Sequence, residues 1–407
     1  MSDAKGPLHG IRVVDLTAVV MGPYCTQIMA DMGADVVKIE PPEGDITRYV
    51  AQGPVPGMNG VFMNVNRGKR SVVLDLRSEE GAATLRALIE TADVFIHSMR
   101  AKAIAKLGFN YESVAAINPQ LIYTNCYGYS RRGPDADRPA YDDTIQAECG
   151  LPAVQKQLTG DATYVATIMA DKVTGLTALY ATMMALFHRE RTGEGQEVEV
   201  SMFETMASFM LVEHANGAMF DPPLGPAIYP RTVAPNRRPY ETKDGYVAAL
   251  IYNDKHWKAF INAVRPAWNT EHSDSFATLE MRAKQIDTVY GLVAQTMRER
   301  TTDEWLTLFT ELEIPASPIN TLDSLFDSPQ LNAVGLFETV QTPSGPVRFP
   351  GVPTWFSRTP GKVRGPAPEL GADTAAVLAE LNALGERQLG GVVDGVGGAA
   401  HVGLPGV

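Results

Sequence analysis

Apolar residues in the first half of the chain fall into short runs separated by glycine, proline and charge. Ile11 to Leu16 (IRVVDL), Asp35 to Ile39 (DVVKI), Ser71 to Leu76 (SVVLDL), Val94 to His97 and Leu121 to Cys126 (LIYTNC) are too short for helices and read as buried strands. Tyr24 to Met32, Glu79 to Thr91 and Ala101 to Leu107, lying among them, carry helical patterns. This alternation predicts a parallel sheet with helices on its faces. The longest pattern is Asp171 to Ser201. Leu176, Leu179, Met183, Leu186 and Phe187 recur at helical spacing and predict a buried face. Gly175, Ala178 and Ala181 keep other positions small, so that a neighbouring backbone can come close. Arg189, Arg191 and then Gly193 mark the helix end. Asp171 is left at the N-terminus, where the helix dipole favours a carboxylate.

After a helix expected over Met202 to Ala218 the pattern changes. Asp221 to Pro239 holds six prolines and no clear period, which reads as a linker. A hairpin around Lys243-Asp244-Gly245 and helices at Asp254 to Val264, Arg282 to Arg298 and Thr302 to Leu312 predict a smaller α+β domain. A last helix is expected over Gly371 to Leu384, and the glycine-rich tail lacks a core pattern. The expected organisation is residues 1–220 as the first part of a large domain and 221–325 as a small domain with linkers. Residues 326–390 return to the large domain, and 391–407 form a flexible tail.

Composition narrows the function. With 407 residues, 45% hydrophobic and 20% charged, the chain reads as a soluble protein of two domains or one elaborated α/β domain. A net charge of −12 disfavours nucleic acid as a partner. The longest uncharged apolar stretch, Val173 to Phe187, is too short to span a bilayer, so no membrane partner is expected. Cys25, Cys126 and Cys149 stand singly without metal-ligand spacing. Together with the lack of a visible targeting segment, this suits a reducing cytoplasm.

Several segments carry candidate chemistry. Thr17 to Gly22 follows the first strand, where ligands of parallel sheets bind, but it has no G-x-G-x-x-G fingerprint. Asn66-Arg67-Gly68-Lys69-Arg70-Ser71 concentrates three cations beside a glycine and reads either as a phosphate-gripping loop or as a solvated turn. Arg100, Lys102 and Lys106 sit on a short helix after a strand and read first as solvated helix charge, second as a grip on a polyanion. Asp142, Asp143 and Asp171 each have an alternative reading as helix caps. No serine elbow is present, and His97, His188 and His214 lack metal-ligand spacing, so no metal is expected.

Taken together, these stretches resemble the class III coenzyme A transferases (CaiB/BaiF type), the family that includes formyl-CoA transferase. The likeness is carried by LxGIRVVDLT at Leu8 to Thr17, GPY at Gly22 to Tyr24, ADMGADVVKIEPP at Ala30 to Pro42 and GDITR at Gly44 to Arg48. It continues through NRGKRS at Asn66 to Ser71, YDD at Tyr141 to Asp143, ADKVTG at Ala170 to Gly175 and RTGEGQEVEVS at Arg191 to Ser201. The resemblance implies a Rossmann-like large domain with a parallel sheet, built from both chain ends, plus a smaller α+β domain. It also implies an interlocked homodimer. The catalytic aspartate falls on Asp171, which attacks an acyl-CoA thioester to give a mixed anhydride and CoA thiolate. Returning CoA makes an aspartyl-CoA thioester, from which a free carboxylic acid takes CoA through a second anhydride. Coenzyme A is thus substrate and product, and no tightly bound cofactor is expected.

By the same resemblance, CoA contacts fall on Ala18, Val19, Val20 and Met21 through backbone, on Lys69 and Arg70 near the phosphates, on Ser98 and Met99, and on Lys106. Tyr141 and Asp142 complete the implied site. Val20 stands where formyl-CoA transferase has a gating glutamine, and Pro41 where it has an arginine. Those departures, with Arg237 and Arg238, point away from formyl-CoA and oxalate and towards a dicarboxylyl-CoA such as succinyl-CoA. The related α-methylacyl-CoA racemases use a histidine at the position of Tyr141. A phenol holds its proton too tightly to be a base at neutral pH, which favours the transferase. A CoA-binding protein without turnover is the remaining alternative.

Overall fold

A computed structural model describes residues 5–384, so the expected flexible tail at 391–407 lies outside the described residues. The elements begin with β1 (Arg12–Leu16), α1 (Met21–Asp31), β2 (Asp35–Glu40), α2 (Gly60–Asn66), β3 (Arg70–Val73) and α3 (Glu79–Glu90). They continue with β4 (Val94–His97), α4 (Ala101–Lys106), α5 (Tyr111–Ile117), β5 (Ile122–Tyr127), α6 (Asp142–Glu148) and α7 (Leu151–Thr159). Next come α8 (Met169–Thr192), β6 (Gln196–Ser201) and α9 (Met202–His214). Two compact units emerge. The first takes the residues up to Ile145, those from Ile168 to Met206, and those from Gly335 onward; the second takes Gln146–Thr167 and Ala207–Val334.

In the first unit six strands form a parallel sheet in the order β3-β2-β1-β4-β5-β6, and Phe337–Thr342 pairs antiparallel with Gly345–Pro350 as a separate hairpin. β4 and β5 are buried along their whole length, as strands covered on both faces must be. Chain direction across the sheet reverses between β1 and β4, and in such doubly wound sheets ligands bind at the strand ends beside that switch point. Leu16 pairs with His97, so β1 and β4 end level and their following loops, Thr17–Val20 and Ser98–Arg100, lie side by side.

α8 is the crossover helix leading into β6. It runs against the strands, so its N-terminus lies at the carboxyl edge of the sheet. Its buried side differs from the sequence expectation. Ala170, Asp171, Thr174, Gly175, Ala178, Thr182, Ala185 and Leu186 are buried, whereas Leu176 and Phe187 are 45% and 64% exposed. Small side chains win the interior face because α8 packs closely on α1. A Cβ on Gly175 would stand 2.6 Å from the Met21 carbonyl oxygen. Gly193, in the left-handed region at φ 76°, ends the helix by donating its N–H to the Arg189 carbonyl at 2.7 Å.

The far end of the chain returns to the sheet edge. Asp373 Oδ2 accepts the Ser71 N–H (2.8 Å) and Thr374 Oγ1 accepts the Val73 N–H (3.1 Å), which covers β3. α1 begins three residues before its expected start, and helices α2 and α5 were not anticipated. In the second unit a three-stranded antiparallel sheet accompanies helices around Trp257, Phe260, Phe276, Trp305 and Phe309. The single helix expected over 282–298 is two, Leu279–Lys284 and Ile286–Met297, broken at Gln285.

Candidate active site

The loop after β1 makes a tightly bonded turn at the switch point. Val19 has φ 70°, a region that a β-branched residue enters at a cost of about 1–3 kcal/mol. Ala18 N–H donates to Ser98 Oγ at 3.0 Å, which links the β1 and β4 loops. Val20 then caps α1, and its carbonyl accepts the Tyr24 N–H at 2.8 Å.

A cavity of about 400 Å³ opens beside this turn. Ala18, Val19, Met21, Ser98, Met99, Tyr141 and Asp171 all line it, so most of the expected site converges. Asp171, 8% exposed, lies in the first turn of α8, and Asp142 Oδ1 accepts its backbone N–H at 3.0 Å. Burial, reinforced by the charge of Asp142, pushes the Asp171 carboxyl up to about 7. The dipole argument made from sequence is therefore outweighed by desolvation and like charge.

Cys126 lines the same cavity, but burial, with Asp15 adding to it, pushes its thiol up to about 12. It stays protonated at neutral pH and is no rival nucleophile. His97, at the end of β4, is fully buried against the rings of Tyr123 and Tyr127, and burial draws its imidazole down to about 4, leaving it neutral.

Other expected contacts lie elsewhere. Lys69 Nζ is sealed inside the unit, donating to Asp15 Oδ2 (3.0 Å), Pro23 O (3.0 Å) and Asn66 Oδ1 (2.9 Å). Burial lowers it to about 8 against the pull of Asp15. Arg70 pairs with Asp35 (2.6 Å) and Glu380 (2.8 Å), tying the sheet edge to the last helix. Lys69 is thus sealed from solvent, while Arg70 is partly exposed at the sheet edge with Asp35 and Glu380 as its partners. Lys106 instead lines a shallow cavity of about 720 Å³ with Arg77, Met99 and Leu107.

A third cavity, about 530 Å³, joins the ends of β1 to β4 and is lined by Ala18, Pro41, Leu76, Arg77 and Ser98 among others. Sequence reasoning missed Arg77, whose only signal is its place just after a strand. It also missed Arg138 and undervalued Arg100, both of which line the Asp171 cavity. Arg237 and Arg238 line a cavity of about 300 Å³ in the second unit with Arg231 and Tyr240. Among the described residues no group of His, Cys, Asp and Glu is arranged to hold a metal ion, and no helix is long and apolar enough to cross a membrane.

Comparison with known proteins decides the family, since the model for CoA-transferase family III matches residues 8–374. The chain belongs to CoA-transferase family III. Among the relatives of this family III CoA-transferase, the succinate–glutarate CoA-transferase of Agrobacterium fabrum (strain C58 / ATCC 33970) is 33% identical, over 94% of this chain and 98% of that protein. The acetyl-CoA:oxalate CoA-transferase of Acetobacter aceti is also 33% identical, over 93% and 97%. A crystal structure of a CAIB/BAIF family protein from Brucella suis superimposes with a TM-score of 0.78 at 31% identity, over 93% of this chain and all of that one. The substrates of a CoA-transferase are CoA thioesters, and the cavity beside Asp171 is the candidate place for one.

Proposed function

We propose that this family III CoA-transferase moves CoA from a dicarboxylyl-CoA such as succinyl-CoA to a free dicarboxylic acid, with Asp171 as the nucleophile. One observation carries the reading. A carboxylate with restricted access to water lines a cavity at the sheet's switch point, beside a strained turn and a protonated cysteine.

Asp171 Oδ attacks the thioester carbonyl, and the C–S bond breaks to give an aspartyl anhydride and CoA thiolate. The thiolate attacks the Asp171 carbonyl, releasing the donor acid and leaving an aspartyl-CoA thioester. The acceptor carboxylate attacks this thioester, expelling CoA thiolate and forming a second aspartyl anhydride. The thiolate then attacks the acceptor's carbonyl, giving the new acyl-CoA and freeing the Asp171 carboxylate. Each step forms one acyl bond and breaks another, so no external reductant or oxidant is needed. Enclosure protects the anhydride from hydrolysis. Backbone groups of Ala18 to Met21, with Ser98 and Met99, hold the pantetheine arm. Arg77 and Lys106 meet the phosphates, taking the part expected of Lys69 and Arg70.

The names of both relatives include a dicarboxylic acid, glutarate in one and oxalate in the other. They support that acceptor class, and the oxalate enzyme brings back into the panel an acid that the sequence departures had disfavoured. The enzyme works as an interlocked cytoplasmic homodimer, whose interface would cover the exposed apolar residues of α8, Leu176, Tyr180 and Phe187.

The test mixes purified protein with succinyl-CoA and a panel of mono- and dicarboxylic acids and reads new acyl-CoA by mass. Transfer to dicarboxylic acids that is lost in Asp171→Ala supports the reading. Transfer that survives in the variant, or occurs only with monocarboxylic acids, contradicts it. A second reading has one observation in its favour. A carboxyl poised near neutrality also suits proton exchange at an acyl α-carbon, as in a racemase. Deuterium entering the α-carbon without CoA exchange between acids would select it.

A further inference from the structure

The turn at Val19 is held from below by a buried ion pair. Lys38, on β2, is fully buried; its ammonium donates to the Thr17 carbonyl and to Asp45 Oδ2, both at 2.9 Å. Asp45, 3% exposed, turns its other oxygen to the Val19 N–H at 3.3 Å and to the Thr47 N–H at 3.0 Å. Asp15 Oδ1 takes the Thr17 N–H at 2.9 Å and Ser98 Oγ takes that of Ala18. Three consecutive amides are thus bound by side chains from three separate segments. These bonds fix the peptide groups that lead into Val19, which stands at φ 70°.

Removing two charges from water is a poor way to gain stability, since buried pairs are often replaced by apolar residues at no loss. Their geometry suits a different purpose, because both partners spend hydrogen bonds on the backbone of one turn. That turn lines the Asp171 cavity on one side, and Ala18, Lys38 and Asp45 line the adjoining cavity on the other.

We propose that Lys38 and Asp45 are positioning residues for the acyl-CoA: joined beneath the Thr17–Val19 turn, they hold its backbone in the strained form that receives the thioester arm. The proposal rests on the reading of that cavity as the acyl-CoA site. It assigns a role to one residue from each of two neighbouring motifs, Lys38 on β2 and Asp45 in the loop after it.

Two variants of the full chain test it. D45N removes the charge on Asp45, and the double variant K38M/D45N removes both charges, leaving no buried cation without a partner. Each is compared with wild type for KM and kcat with succinyl-CoA, for KM with the acceptor acid, and for amide exchange of the peptide spanning Thr17 to Met21. Loss of a charge-assisted hydrogen bond predicts a rise in succinyl-CoA KM of about tenfold, with acceptor KM within about twofold and faster exchange in the turn. A purely structural role would lower the melting temperature and the active fraction while leaving KM alone, and would overturn the proposal. Unchanged exchange in a folded variant would overturn it too. Faster exchange in variants of a wild type that binds no CoA would instead remove the CoA role together with the functional reading, and leave only a structural brace.

Discussion

Asp142 Oδ1 lies 3.0 Å from the backbone nitrogen of Asp171, so the carboxylate that fastens the start of α8 also raises the side chain of the residue it holds. One group thereby fastens the first turn of α8 and adds to the burial that raises the Asp171 carboxyl. The nucleophile must be ionised to attack. The kcat/KM for acyl-CoA is therefore expected to rise with pH through about 7 and then level off. Asp142→Asn keeps the accepting oxygen but removes the charge. Its rising limb should move to lower pH, while burial, the larger cause, holds it above an ordinary carboxylate. A pH–rate profile of both proteins checks this.

The same shift has a consequence for stability, with the opposite sign to that of a salt-bridged aspartate. The Asp171 carboxyl is raised from 3.8 to about 7 on folding, so the native state holds the extra proton between those values. Stability conferred by this residue is present at low pH and falls as pH rises towards 7. Asp171→Asn should then be more stable than wild type at pH 8 by roughly 2–4 kcal/mol, with the gap closing towards pH 4. Thermal unfolding at pH 5 and pH 8 reads the difference.

Gly175→Ala is expected to reverse the usual sign of a glycine-to-alanine change in a helix. Propensity alone would favour alanine by about 1 kcal/mol. The added Cβ would press on the Met21 carbonyl oxygen, a backbone atom that cannot step aside. A net loss of about 1–3 kcal/mol is expected. Acylation should slow by about tenfold or more, because α8 carries Asp171 and α1 begins at the turn. Melting temperature and single-turnover acylation separate the two effects.

The cations near the site should divide cleanly. Arg77→Ala and Lys106→Ala should each raise the KM for acyl-CoA by about three- to tenfold with little change in kcat, and lose that effect at high salt. Arg70→Ala, which loosens the Asp35–Glu380 tie, should leave KM unchanged. Lys69→Ala leaves Asp15 buried without its cation and should cost about 3–5 kcal/mol of stability. Steady-state kinetics at two ionic strengths, with unfolding curves, check all four variants.

Much of the first unit was legible because parallel strands covered on both faces leave unbroken apolar runs. Val94 to His97 was bounded correctly, and Ile122–Tyr127 differs from its expected range by one residue at each end. The site aspartate could be found only through resemblance, since an acid at a helix start looks like a cap. Side-chain direction was not legible. Lys69 and Arg70 share one motif, yet one points into the interior and the other to the sheet edge. The face of α8 was misread for a related reason: helical spacing marks apolar positions, but the close approach at Gly175 selects the small ones. Arg77 was missed because what brings it to a cavity is the joining of the strand ends β1 to β4 at the switch point, which periodicity does not show.

Chemical trapping at Asp171 decides the matter. The protein is incubated with succinyl-CoA, treated with hydroxylamine, digested and read by mass spectrometry. A hydroxamate on the peptide containing Asp171, absent without acyl-CoA, is the expected result. An enzyme that transfers CoA while Asp171 remains unmodified, or that carries the acyl group on Cys126, would contradict it.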